Sequence, residues 1–139
     1  MFFNNKTKKT GNKYSNFIKV AALLIHAAKI DENYSNEEEE IIKKTLIDLG
    51  VNHNELETLM INAKKEEENA NQILDFTREI KNLDETNKIK IIKSLWKIIY
   101  ANKYADIYET NLMRRLSGLL YIDSKTMGDI KEQIKKENS

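Results

Sequence analysis

Apolar residues recur along this chain at spacings of three and four, the period of helices buried on one face, and nowhere alternate as strands do. Phe17, Val20, Ala21, Leu24 and Ala28 mark the first such stripe, in a helix that should open near Ser15 and run through "NFIKVAALLIHAAKI". Ile41, Ile42, Leu46 and Leu49 mark a second, which starts after Ser35 and stops at Gly50. Ser35-x-x-Glu38 is a capping-box signature, in which the hydroxyl accepts an early helical N–H and the glutamate reaches back to the cap. Asn52 and Glu55 repeat that pattern before Leu56, Leu59, Met60 and Ala63. A fourth helix takes "ANQILDFTREIKN", with Ile73, Phe76 and Ile80 inward.

Asp84 then caps a long fifth helix, with Ile89, Ile92, Leu95, Trp96 and Ile99 on one face and Lys90, Lys93 and Lys97 on the other. Helices over 107–120 and 124–136 complete the set. Proline is absent and glycine numbers four in 139 residues, so little interrupts helices or marks hairpins. The expectation is an all-α, single-domain bundle of about seven helices over 15–139, preceded by a flexible basic tail over 1–14.

The helices also repeat. A gap-free shift of 71 residues lays Leu24 on Leu95, Glu38 on Glu109, Leu49 on Leu120, Lys43-Lys44 on Arg114-Arg115 and the cap Asn52 on Asp123. Ser35-x-x-Glu38 then meets Asp106-x-x-Glu109. Two halves, about 17–65 and 88–136, follow, with the segment about 69–82 as a bridge. Two copies predict a closed, pseudo-twofold bundle and not an extending solenoid.

Charge adds two local patches to a nearly neutral whole. The formal charge is +1, so no overall field selects a polyanion. Lys6, Lys8, Lys9, Lys13 and Lys19 fall where there is no acid, whereas Asp31, Glu32, Glu37, Glu38, Glu39 and Glu40 fall where there is no base. The tail, with Phe2 and Phe3 beside lysines, could make weak peripheral contact with an anionic membrane. The lysine row of the fifth helix lacks the arginines and interleaved aromatics of a nucleic-acid strip, so nucleic acid is not expected. Cysteine is absent, which excludes disulfides and thiolate metal sites. No signal-peptide core and no long apolar run is present, and a cytoplasmic protein is expected.

The acidic patch offers the one candidate site. In each half a loop supplies an acid or amide and, seven residues on, a glutamate: Asp31 and Glu38, Asn102 and Glu109. If the pseudo-twofold sets the loops side by side, Asp31, Glu38, Asn102, Asp106 and Glu109 form a set of hard oxygen ligands that suits a divalent cation, Ca²⁺ foremost. An EF-hand is ruled out: Asp31, Asn33 and Ser35 fit its first positions, but Asn36 replaces the required glycine and Ile42 the bidentate glutamate. The competing expectation is that these acids only start helices, with Glu39–Lys43 and Glu40–Lys44 as ordinary i,i+4 pairs. No glycine-rich phosphate loop is present, and His26 and His53 have no paired nucleophile, so no enzyme is expected.

At these residues the chain resembles the TerB-like family of tellurite-resistance protein B, in its small stand-alone bacterial branch. The likeness rests on the ordered pattern A-x-x-D-x-x-x-[ST/D]-x-x-E-x-x-x-[IL], repeated after "FTREI", and on the tryptophan helix "IIKSLWKIIYANKYADIYETNLMRRLSGLL". It implies an all-helical pseudo-symmetric fold, cation binding through Asp31 and Glu38 and through Asp106 and Glu109, and a part in stress response or in a membrane-associated complex. This sequence departs from the family's Asp-Gly with Asp31-Glu32 and Asn102-Lys103. The amide removes one negative ligand and the lysine adds a positive charge, both weakening the second loop. Two readings stand: a cation-binding helical module with no enzymatic activity, and a metal-free module that docks a protein partner.

Overall fold

The computed structural model describes residues 2–30, 34–70, 72–101 and 107–137, with the backbone alone for 2–13 and 107. The described residues form helices α1 (Phe2–Lys29), α2 (Asn36–Asp48), α3 (His53–Asn69), α4 (Leu74–Ile80), α5 (Glu85–Tyr100), α6 (Ile107–Leu119) and α7 (Ser124–Glu137), and no strand. The all-α expectation holds, with one difference at the start. The backbone of α1 is already helical at Phe2, so the expected boundary at 14/15 is not a helix start. Nothing before Ser15 forbids this: there is no proline, and a single Gly11 costs only about 1 kcal/mol in a helix already nucleated by the apolar segment that follows.

Two helical segments are buried on most sides. In α1, Val20 to Ile25, Ala27 and Ala28 are all shielded from solvent; in α5 the same is true of Ile91, Ile92, Leu95, Trp96, Ile98 and Ile99. A helix that is apolar over most of its circumference has to be covered by several others. Accordingly α2, α3, α4 and α5 pack on α1, while α1, α2 and α7 pack on α5, and α4 reaches α6. Between α2 and α5 lies a buried polar link, in which Thr45 Oγ1 and Ser94 Oγ are 2.7 Å apart and Thr45 also donates to the Ile41 carbonyl.

The ends of the outer helices follow the 71-residue register closely. At the end of α2, the amides of Leu49, Gly50 and Val51 donate to the carbonyls of Thr45, Ile47 and Leu46; at the end of α6, those of Leu120, Tyr121 and Ile122 donate to Leu116, Gly118 and Ser117. This is the Schellman arrangement, which needs a left-handed residue after the helix. Gly50 supplies it at φ 115° and Tyr121 at φ 58°. For a tyrosine that conformation costs on the order of 1–2 kcal/mol. Its ring is met by the ammonium groups of Lys88 and Lys81, 5.8 and 6.0 Å from the centroid.

Lys88 falls on the inward stripe of α5, four residues before Ile92 and seven before Leu95. It is only 7% exposed, and its Nζ donates to the Leu120 carbonyl at 3.0 Å, closing the end of α6. Its counterpart in the register is Phe17, whose ring lies 3.9 Å from the point a Cβ on Gly50 would occupy. The α2–α3 turn is thus covered by an aromatic ring and the α6–α7 turn by a cation.

Three of the expected caps are made. Glu38 N–H donates to Ser35 Oγ, Asn87 N–H to Asp84 Oδ1 and Thr126 N–H to Asp123 Oδ1. The capping box expected at Asn52 is not: that side chain makes no cap bond, and the Asn52 backbone carbonyl accepts from Glu55 N–H instead.

Removing the Lys88 ammonium leaves the end of α6 without its charged donor. Lys88→Ala is expected to lower stability by about 2 kcal/mol, the scale of a hydrogen bond to a charged group, and chemical denaturation measures it. A loss below a few tenths would show that this contact contributes nothing net.

Candidate functional site at the start of helix two

The acids at the start of α2 have separate environments. Glu37 and Glu40 are exposed, Glu39 is half-buried and Glu38 is only 1% exposed. The Ser35 backbone N–H and hydroxyl both donate to Glu38 Oε1, at 2.9 and 3.0 Å, and Glu38 N–H returns a bond to Ser35 Oγ at 3.2 Å. The capping box is complete. It holds a carboxylate out of water where the positive end of the helix dipole favours it. Glu109, its counterpart in the first turn of α6, is only 3% exposed.

Glu39 organises a second cluster. Lys64 from α3 reaches its Oε1 at 2.9 Å, the Tyr34 hydroxyl donates to the same oxygen at 3.3 Å, and Lys43 lies 3.8 Å from Oε2. Lys43 is closer to Glu57, at 3.2 Å. The hydrogen bond from Lys64 is the chief reason that the Glu39 carboxyl sits below the usual carboxylate range. Burial, and then the charge of Glu39 with its hydrogen bond and the charge of Glu38, push the Tyr34 phenol well above its ordinary value. Tyr34 therefore stays protonated and serves as a donor.

Beside this cluster is an open cavity of about 430 Å³, lined by Lys29, Tyr34, Glu39, Lys64 and Glu68 among others. Cations and carboxylates alternate around it, and the neighbouring pairs are already matched: Lys29 reaches Glu67 at 2.8 Å, and His26 Nδ1 lies 3.5 Å from the same carboxylate. That pairing gives His26 a structural partner and no nucleophile to activate.

Of the five expected ligands, Glu38 and Glu109 are buried at the two helix starts. Asp31, Asn102 and Asp106 lie outside the described residues, and so does the expected meeting of the two loops. Among the described residues no group of three or more His, Cys, Asp or Glu side chains converges as a metal set. The Glu39–Lys43 pair forms, whereas Glu40 and Lys44 make no ion pair. The contact with Lys64 had no signature in the sequence, since it depends on how α3 lies against α2.

A family model described as tellurite resistance protein TerB matches residues 17–132. The chain belongs to the TerB family. The match runs from within α1 to within α7, so both acidic helix starts of this TerB chain lie inside it. The TerB fold is all-helical, as found here. Comparison with curated proteins and with solved structures gave no match. Among the described residues, no helix is long and apolar enough to cross a membrane.

Because the Glu39 carboxyl is depressed in the folded state, the stability it contributes is present above its ordinary value and fades as pH falls through the lower, folded one. Lys64→Met should raise the Glu39 pKa, read by NMR titration, and cost less than about 1 kcal/mol at pH 7, as partly exposed pairs do. The difference between variant and parent should vanish in acid. An unchanged Glu39 titration would remove Lys64 as the cause.

Proposed function

We propose that this TerB-family chain is a non-enzymatic helical module that holds a divalent cation, Ca²⁺ foremost, through Asp31, Glu38, Asn102, Asp106 and Glu109. The observation that carries the reading is the burial of both Glu38 and Glu109, 1% and 3% exposed, at register-matched helix starts. A glutamate can complete a capping box while fully wet, so capping alone does not call for burial. Withdrawing a carboxylate from water costs several kcal/mol unless donors or positive charge surround it, and a hard cation held by oxygens of the neighbouring loops would add such charge at both helix starts. The ion would neutralise these acids and tie the two loops together; the module's role would be scaffolding, in a stress-response or membrane-associated complex in the cytoplasm, as the family resemblance implies.

A second reading has its own support. Ser35 already gives Glu38 Oε1 two donors, so this acid has a complete structural job without metal. On that reading the chain is a metal-free protein-interaction module and the acids serve only α2 and α6.

Thermal unfolding separates the two. Chelator-treated protein is titrated with Ca²⁺, Mg²⁺ and Mn²⁺ at constant ionic strength, alongside Asp31→Asn, Glu38→Gln and Glu109→Gln. Glutamine can still complete a capping box, so Glu38→Gln tests the charge and not the cap. One ion at a hundred times its dissociation constant should add about 2.7 kcal/mol, lost in all three variants. Equal, weak responses to every ion, or a shift that survives the variants, would leave the metal-free reading in place.

A further inference from the structure

Comparing the two halves in their 71-residue register exposes a difference between their outer faces. In the first half Lys43 is held by two carboxylates, Glu39 at 3.8 Å and Glu57 at 3.2 Å. Its counterpart Arg114 keeps the positive charge, but the positions of Glu39 and Glu57 are taken by Thr110 and Gly128. Both acids are gone from around a retained cation. Leu46 becomes Ser117, while Ile25 and Met60 become Trp96 and Lys131.

These exchanges coincide with a small cavity of about 230 Å³ between α5, α6 and α7, lined by Trp96, Met113, Met127, Gly128, Arg114 and Lys131 among others. Gly128 lines the cavity, and a Cβ there would meet nothing within 4 Å, so a larger side chain has room at this position. The Lys131 ammonium stands 5.5 Å from the Trp96 ring centroid, and among the described residues Arg114 has no carboxylate partner. The floor is apolar and aromatic, and the rim is cationic.

We infer that this cavity is a docking site for an acidic protein segment, which inserts one apolar side chain against Trp96, Met113 and Met127 and places a neighbouring carboxylate between Arg114 and Lys131. The size selects a peptide over a cofactor: sites for small molecules commonly span about 300–1,000 Å³, and a smaller pocket suits one anchoring side chain. The charges select acid, since Arg114 is left to receive from outside the carboxylate that its counterpart Lys43 receives from within. This site is independent of the cation reading, because it draws on neither Glu38 nor Glu109.

The experiment uses a random dodecapeptide display library, selected on the full chain and counter-selected on Gly128→Leu, which adds a large side chain at the cavity's lining. Enriched peptides should carry Leu, Met or Phe one or two residues from Asp or Glu. Trp96 is the single tryptophan of the chain, so its fluorescence reports binding at the cavity directly. Synthetic peptides should shift it saturably, Arg114→Ala and Lys131→Ala should each weaken binding about two- to fivefold, roughly the worth of one solvent-facing ion pair, and Gly128→Leu should abolish it. Circular dichroism confirms that each variant is folded. No enrichment over the naive library, enrichment of peptides without acids or without an apolar anchor, or undiminished binding to folded Gly128→Leu would each overturn the assignment.

Discussion

Everything else in this chain depends on two helical segments that cannot be left wet. Val20–Ala28 of α1 is apolar almost all the way around and Ile91–Ile99 of α5 everywhere but its lysine face, and alanines at 21, 22, 27 and 28 let neighbouring helices approach α1 closely. Each fully buried Leu or Ile is worth about 1.5–3 kcal/mol relative to its exposed state. Two such rods side by side set the number of elements needed to cover them. The outer helices need to be apolar on one side only, and their other side is free for charge, capping and recognition.

That division explains what could be read in the sequence. The stripes of α2 to α7 obey local rules, so spacing, Ser35, Gly50, Asp84 and Asp123 place those elements to within a few residues. Where local rules failed, a hydrogen bond that spacing does not specify was responsible. Lys88 is a charged residue on the apolar stripe of α5, and it is buried there with its ammonium on the carbonyl end of α6, 32 residues further on. Asn52 has the chemistry of a cap, but its backbone carbonyl already accepts from Glu55.

The candidate site was legible in part for the same reason. The acidic run and its capping box are local, and they are present at α2. Which acid would be buried was not written in the run itself: Glu37, Glu38, Glu39 and Glu40 are identical letters, and only the direction each takes from the helix separates an exposed side chain from an enclosed one. Lys64 illustrates the converse case, a partner found 25 residues after Glu39 through packing alone. The contrast between Lys43 and Arg114 needed both kinds of information, the register from the sequence and the ion pairs from the structure.

The two Schellman ends have a mechanical consequence. At Gly50 and at Tyr121 the chain turns with its terminal amides already bonded to the preceding helix, and a buried residue, Val51 or Ile122, follows at once. Such a joint has no slack. Helices α2 and α3, and likewise α6 and α7, are therefore coupled as stiff levers, and a force applied to the exposed face of one member is delivered to its companion as rotation of the whole pair, not absorbed at the corner.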